Sequence, residues 1–358
     1  MNYEALENPF NDITLSESDL ENEDLNSYKE DPVDVSLKAE IAYKKNSSDQ
    51  AAKNDFPLKQ KQGSPIKAID AKDLINLDLP PKELIMSPWL PLRGIAMVYA
   101  PRGIGKTFFA LEVACAVAKG TNFLGWATKT PRKVLYIDGE MGATDLQPRL
   151  QMIAGDNELT NGLVEFITPD FQEGPCPDLS MPDWHFHLEP FCDNADLIIV
   201  DNISTLCRTG SENDAESWQI VQEWAIRQKS AGKTVLFIHH AGKGGQQRGT
   251  SKREDVMDTV ISLKRPDDYS PKQGARFIVE FEKARGFSGE EAEPFIAQME
   301  EKDGKFQWQL EDLEDSLFQK ILNFAKLGMD QKDIAHELGV HKSTISKNFN
   351  RAKSEGLL

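Results

Sequence analysis

One short stretch constrains the fold more than any other. Ile95–Ala100 is an apolar run of strand length, and Lys106–Lys119 after it has helical spacing. Between them stands Pro101-Arg102-Gly103-Ile104-Gly105, and Lys106-Thr107 opens the helix. A strand that passes into a helix through two glycines matches the phosphate-loop pattern, with Ala100 where its first glycine usually stands. Gly103 and Gly105 allow backbone conformations and close approach that a Cβ would block. The freed N–H groups and the helix N-terminus then form an anion cradle. Lys106 can reach the β- and γ-phosphates of a nucleotide, and the Thr107 hydroxyl can ligand Mg²⁺. The expected nucleotide contacts run from Arg102 through Gly103, Ile104, Gly105, Lys106 and Thr107 to Phe108.

Further apolar runs alternate with helical patterns downstream. Strands are expected at Lys133–Asp138, Leu163–Thr168, Asp196–Asp201 and Thr234–His239, and helices at Ala143–Ala154 and Ala215–Ser230. The Ile198-Ile199-Val200 centre of Asp196–Asp201 is apolar on both faces, as a buried parallel strand requires. Strands separated by helices predict an α/β fold, a mainly parallel sheet with helices on both sides. Asp258–Lys264, Arg276–Glu282 and Lys305–Leu310 have no helices between them and read as antiparallel additions at the sheet edge. Asp201 ends an apolar strand about 95 residues after the phosphate loop, where a phosphate-loop ATPase holds its Mg²⁺. ATP and Mg²⁺ are therefore the expected ligands, with Thr107 and Asp201 as the metal residues. Two acids, Asp138 and Glu140, end the second strand, whose carboxyl end faces the crevice. Glu140 is the candidate for deprotonating the attacking water. Asp138 is the alternative at this strand end, since it can also cap the following turn.

With 358 residues, 39% of them hydrophobic, the chain has room for two or three domains. No apolar run approaches the roughly 20 residues of a membrane helix. The opening residues lack a basic region followed by an apolar stretch, and four cysteines make no disulfide scaffold. A cytoplasmic protein without a membrane partner is expected. The net charge of −17 argues against indiscriminate coating of duplex DNA but not against a local basic surface. Residues 1–62 carry 14 acidic against 7 basic side chains with no sustained apolar period. Residues 1–66 are therefore expected to be a disordered acidic tail, and a docking segment for a partner is the sharper reading. Residues 67–312 would form the α/β domain and 313–358 a small helical one.

Taken as a set, Ala100–Thr107, Tyr136–Glu140, Asp196–Asn202 and Phe237-Ile238-His239-His240-Ala241-Gly242-Lys243 resemble the RepA-type branch of the RecA/DnaB-like hexameric ATPases, over about residues 67–290. The resemblance implies a RecA-like core and an ATP-driven homo-oligomer, a hexamer, that translocates on single-stranded DNA. Glu140 matches the family's catalytic glutamate and Arg149 an arginine near the nucleotide. His239 and His240 stand where the family places a γ-phosphate sensor. The loop from Ala241 to Arg253 resembles the DNA-binding loop of the ring channel. In it Lys243, Arg248, Lys252 and Arg253 can neutralise phosphates, and no aromatic residue is present to stack on bases. Lys283 and Arg285 resemble the pair that reaches a neighbour's γ-phosphate. Two positions apart on a strand, they point to one side. Where replicative DnaB has a primase-interacting helical domain, this chain has its acidic segment, which leaves a recombination or regulatory ATPase open.

From Leu313 onward three amphipathic stretches appear, Glu314–Ala325, Gln331–Leu338 and Lys342–Ser354. The last two resemble a helix-turn-helix with an apolar seam of Ile334, Leu338, Val340 and Ile345, Ala335 at the crossing and Gly339 in the turn. Ser343, Thr344, Ser346, Lys347 and Asn348 would face the major groove of duplex DNA, with Lys342 and Arg351 near phosphates. A protein-interaction cap with a polar face is the other reading. Finally, Cys176, His185, His187 and Cys192 match no familiar zinc spacing. Trp184, Phe186 and Phe191 beside them are expected to be packing residues.

Overall fold

The computed structural model describes residues 59–60, 67–154, 162–208, 215–242, 254–302 and 305–358. The expected acidic tail lies outside these residues, except that Lys59–Gln60 pairs with Lys67–Ala68. The core is a nine-stranded sheet. Its strands are β1 (Ile95–Ala100), β2 (Val134–Asp138), β3 (Val164–Ile167), β4 (Leu197–Asp201), β5 (Thr234–His240), β6 (Thr259–Lys264), β7 (Arg276–Ala284), β8 (Phe295–Lys302) and β9 (Lys305–Asp312). The order across the sheet is β9-β8-β7-β6-β1-β5-β4-β2-β3. Strands β6, β1, β5, β4, β2 and β3 are mutually parallel, and β7 to β9 extend the β6 edge antiparallel.

Helices α1 (Lys106–Lys119) and α2 (Ala143–Ala154) cover one face, and α3 (Pro182–Asp193) and α4 (Ala215–Ser230) the other. Strand β4 shows why the parallel strands read as unbroken apolar runs. Leu197 and Ile199 enter the core beneath α1, while Ile198 and Val200 enter the core beneath α3 and α4. The antiparallel extension is fixed over α1 by an aromatic cluster. Trp89 meets Trp126 at 5.3 Å between ring centroids, Trp126 meets Phe295 at 5.8 Å, and Phe277 meets Trp308 at 5.4 Å. Each such pair contributes about 0.5–1.5 kcal/mol beyond its buried area. The strand β8 has no counterpart among the sequence-based expectations.

Register places the chemistry. Ala100 lies beside His240, Asp201 beside Ile238, and Asp138 beside Asp201. The ends of β1, β5, β4 and β2 thus form one continuous carboxyl edge.

Residues after β9 fold as three helices, α5 (Leu313–Lys326), α6 (Gln331–Glu337) and α7 (Lys342–Ser354), close to the expected boundaries. Ile321, Ile334, Ala335 and Ile345 form their small core. Asp312, Asp330 and His341 cap the three N-termini through their side chains. Lys320 on α5 pairs at 3.2 Å with Asp268, in the connection between β6 and β7, and buried Arg276 holds the same carboxylate at 2.9 Å. Among the described residues, no helix is long and apolar enough to cross a membrane.

Candidate active site

The carboxyl edge opens into a cavity of about 650 Å³, lined by the phosphate loop and by residues that end β2, β4 and β5. Gly103 has φ +71° and Gly105 φ +111°, both in the left-handed region that favours glycine. A Cβ on Gly105 would also stand 3.2 Å from the Ala275 Cβ. These two turns bring the chain into α1, so the first amides of the helix face the cavity. Lys106 is 7% exposed, and its Nζ lies 3.3 Å from the Pro101 carbonyl. Burial pulls its pKa down, while the Asp201 and Glu140 carboxylates oppose that shift.

Asp201 is buried at the end of β4 and accepts a 2.6 Å hydrogen bond from the Tyr136 hydroxyl. Burial pushes its carboxyl up to about 6, against the pull of Tyr136 and Lys106. Tyr136→Phe takes a donor from this buried carboxylate and is expected to destabilise the fold by about 1–3 kcal/mol. A lower urea-unfolding midpoint for the ligand-free protein would show it.

At the end of β2 the two acids have different surroundings. Asp138 Oδ1 accepts from the backbone N–H groups of Glu140 and Met141 at 2.8 and 2.9 Å, which fixes the turn. Its Oδ2 is buried with no hydrogen-bond partner, and burial raises its pKa. The Glu140 side chain is 59% exposed at the mouth. It accepts from the Asn202 amide, and its Oε2 stands 3.6 Å from His240 Nε2. Burial, then Lys106, lowers the His240 pKa, which favours the neutral ring. Arg149 reaches the same cavity from α2, its guanidinium 5.2 Å from the centre of the Phe108 ring.

The structure therefore brings Arg102 through Phe108, Glu140, Arg149, Asp201 and His240 around one cavity. His239 is the exception at this edge. Successive strand residues face opposite sides, and His239 shares the face of Phe237, in the core beneath α3 and α4, while His240 lines the cavity. Lys283 and Arg285 lie at the other edge of the sheet. Lys283 pairs with Val260 at the start of β6, and its ammonium meets the Glu254 carbonyl. Arg285 donates to the Asp255 carbonyl at 3.3 Å. Neither lines the cavity of its own chain.

Sequence reasoning missed the connection between β6 and β7. Arg265 donates to the Gly103 carbonyl at 3.4 Å and lies over the Tyr269 ring at 4.9 Å, and Tyr269 lines the cavity. Lys243, Arg248, Lys252 and Arg253 are outside the described residues. On α7, Lys342, Ser343, Ser346 and Lys347 are exposed, while Thr344 and Asn348 are half-buried. Arg351 pairs with Asp315 and Glu355 at 3.0 and 2.9 Å and lies over Phe318, with its side chain 42% exposed. Cys176, His185, His187 and Cys192 form no metal-ligating cluster among the described residues. Phe186 and Phe191 are 74% and 47% exposed, contrary to their expected packing role.

A mainly parallel sheet, with a glycine-turned phosphate loop and a strand-end aspartate at one carboxyl edge, has the arrangement of a P-loop nucleotide-binding site. The chain belongs to the AAA domain family, whose model matches residues 60–246, more than half of its length. Among solved structures it is similar to a KaiC-like protein of the archaeon Pyrococcus horikoshii OT3, at 15% identity and a TM-score of 0.45, covering 63% of this chain and 93% of that one. It is also similar to the flagellar accessory protein FlaH of Methanocaldococcus jannaschii, at 12% identity and a TM-score of 0.45, covering 63% of this chain and 99% of that one.

Proposed function

We propose that the protein is a Mg²⁺-dependent, ATP-hydrolysing DNA helicase or translocase of the RepA type, acting on single-stranded DNA as a homo-oligomer in replication of a plasmid, phage or mobile element. The observation that carries this reading is the division of the chemistry between the two edges of one sheet. Lys106, Thr107, Asp201 and Glu140 share the cavity at one edge, and Lys283 and Arg285 occupy the opposite one. The residues of the cavity fit a nucleotide, because the left-handed turns at Gly103 and Gly105 lead into the start of α1 and Lys106 is buried beside them.

In hydrolysis, the loop amides and Lys106 cradle the β- and γ-phosphates. Bound Mg²⁺ would neutralise charge on their oxygens, held by the Thr107 hydroxyl and Asp201. Glu140 takes the proton of the attacking water as that water bonds to the γ-phosphorus and the γ-phosphorus–oxygen bond to the β-phosphate breaks, leaving ADP and inorganic phosphate. His240 faces the phosphate end of the cavity beside Glu140 and is the better placed of the two histidines to sense the γ-phosphate. Lys283 and Arg285 of a neighbouring subunit would stabilise charge on the transferring phosphoryl group. The loop from Lys243 to Arg253 would track the DNA backbone.

A second reading is an ATP-dependent oligomeric regulator that binds duplex DNA through α6 and α7 without unwinding it. It is favoured by the exposed Ser343, Ser346 and Lys347 on α7 and by the ion pair from Lys320 to the connection over the nucleotide cavity. Phosphate release with and without single-stranded DNA, the mass in solution and strand displacement together test both. Stimulation by single strands, a ring mass and displacement are expected. Sequence-specific duplex binding without displacement would favour the regulator, and a monomer indifferent to DNA would overturn the helicase.

A further inference from the structure

We propose that Asn202 is a positioning residue for hydrolysis: its side-chain amide holds the Glu140 carboxylate in one orientation and joins it to His240. Asn202 directly follows β4 and is 1% exposed. Its Nδ2 donates to Glu140 Oε2 and lies 3.4 Å from His240 Nε2. The orientation of the amide follows from chemistry, because a carboxylate only accepts and so must face the NH₂ group.

Glu140 needs such a partner. Its side chain is flexible and 59% exposed, whereas a general base must stand about 2.6–3.2 Å from the proton it takes. A misplacement of about 1 Å can cost about 100-fold in rate. With Oε2 engaged by the amide, Oε1 is the oxygen left for the water. Asn202 itself is held, since its backbone carbonyl accepts from Thr205 and Leu206 in the turn that follows. The fixed point is therefore the buried end of β4, and the mobile group is the base. Sharing the amide with His240 places the base, the amide and the ring next to the phosphate end in one chain of contacts. Asn202 lines the cavity beside Glu140 and acts through it.

This inference rests on Glu140 being the base, and the experiment separates the two. Full-length Asn202→Ala, Asn202→Asp, Glu140→Gln and Asn202→Ala/Glu140→Gln proteins are compared for kcat, KM, affinity for a fluorescent ATP analogue and melting temperature. Asn202→Ala is expected to lower kcat about 10–100-fold with affinity and melting temperature close to wild type. Asn202→Asp keeps the shape but loses the donor, and should recover none of the rate. In the Glu140→Gln background, Asn202→Ala should change the residual rate by less than about twofold, since groups that act as a unit are non-additive. A wild-type kcat for Asn202→Ala, recovery by Asn202→Asp, or an undiminished loss in the Glu140→Gln background would each overturn the inference. Should Asn202→Ala melt early, the Asn202→Asp rate decides between shape and donor. A Glu140→Gln protein with wild-type turnover would instead remove the base assignment itself.

Discussion

Lys106→Ala is expected to lower ATP turnover by about 10³-fold, measured as phosphate release by the full-length protein. The Lys106 ammonium is nearly shielded from water, and burial already works against its charge. A charge kept in such a place is supported by Asp201 and Glu140 until phosphate oxygens arrive. When they do, it acts at short range with little water to screen it. Lys106→Arg should restore little of the rate. The guanidinium is a planar fork rather than a point charge, and the space beside the Pro101 carbonyl at 3.3 Å is shaped for an ammonium. An alanine variant that still releases phosphate at the wild-type rate would mean that hydrolysis occurs elsewhere.

The second large effect is complementation between two inactive proteins. Arg285→Ala is expected to lose about 10³-fold in turnover, although Arg285 lies far from the cavity of its own chain. From the start of β6, beside Arg285, four residues of strand, roughly 13 Å, lead to the phosphate-loop edge. Mixed with Lys106→Ala after subunit exchange, the pair should regain about a quarter of wild-type turnover. In a random assembly that fraction of interfaces joins an intact Lys106 to an intact Arg285. Mixing with no recovery would show that Arg285 does not act across an interface. Full activity of Arg285→Ala alone would remove the residue from the reaction.

The parts of the site that were legible in the sequence are those whose chemistry needs neighbouring residues in a row. Gly103 to Thr107 form such a run, and so do the strand ends at Glu140 and Asp201. The parallel strands were legible for a related reason, since burial on both faces leaves an unbroken apolar run such as Leu197–Val200. Strand β8 was not. Only its first half is buried, and Glu300–Lys302 face water, so its pattern decays before a strand length is reached. The two histidines ending β5 look equivalent in sequence. Strand alternation allows one of them to line the cavity, and the pairing of β5 with β1 decides for His240. Arg265 to Tyr269 read as a polar turn. Their place beside Gly103 follows from β6 pairing with β1, a contact between residues about 160 positions apart. Asn202 gave no signal of its own, because its partner Glu140 is 62 residues earlier.

The opposed placement of Lys283 with Arg285 and of the nucleotide cavity has a geometric consequence. A subunit that offers one kind of group at its leading end and receives it at its trailing end cannot satisfy both through a two-fold axis. Under the proposed trans role of Lys283 and Arg285, each contact would join unlike surfaces and the assembly would have a sense of direction. Whether such a chain of subunits meets its own tail or winds on as a filament depends only on the rotation between neighbours.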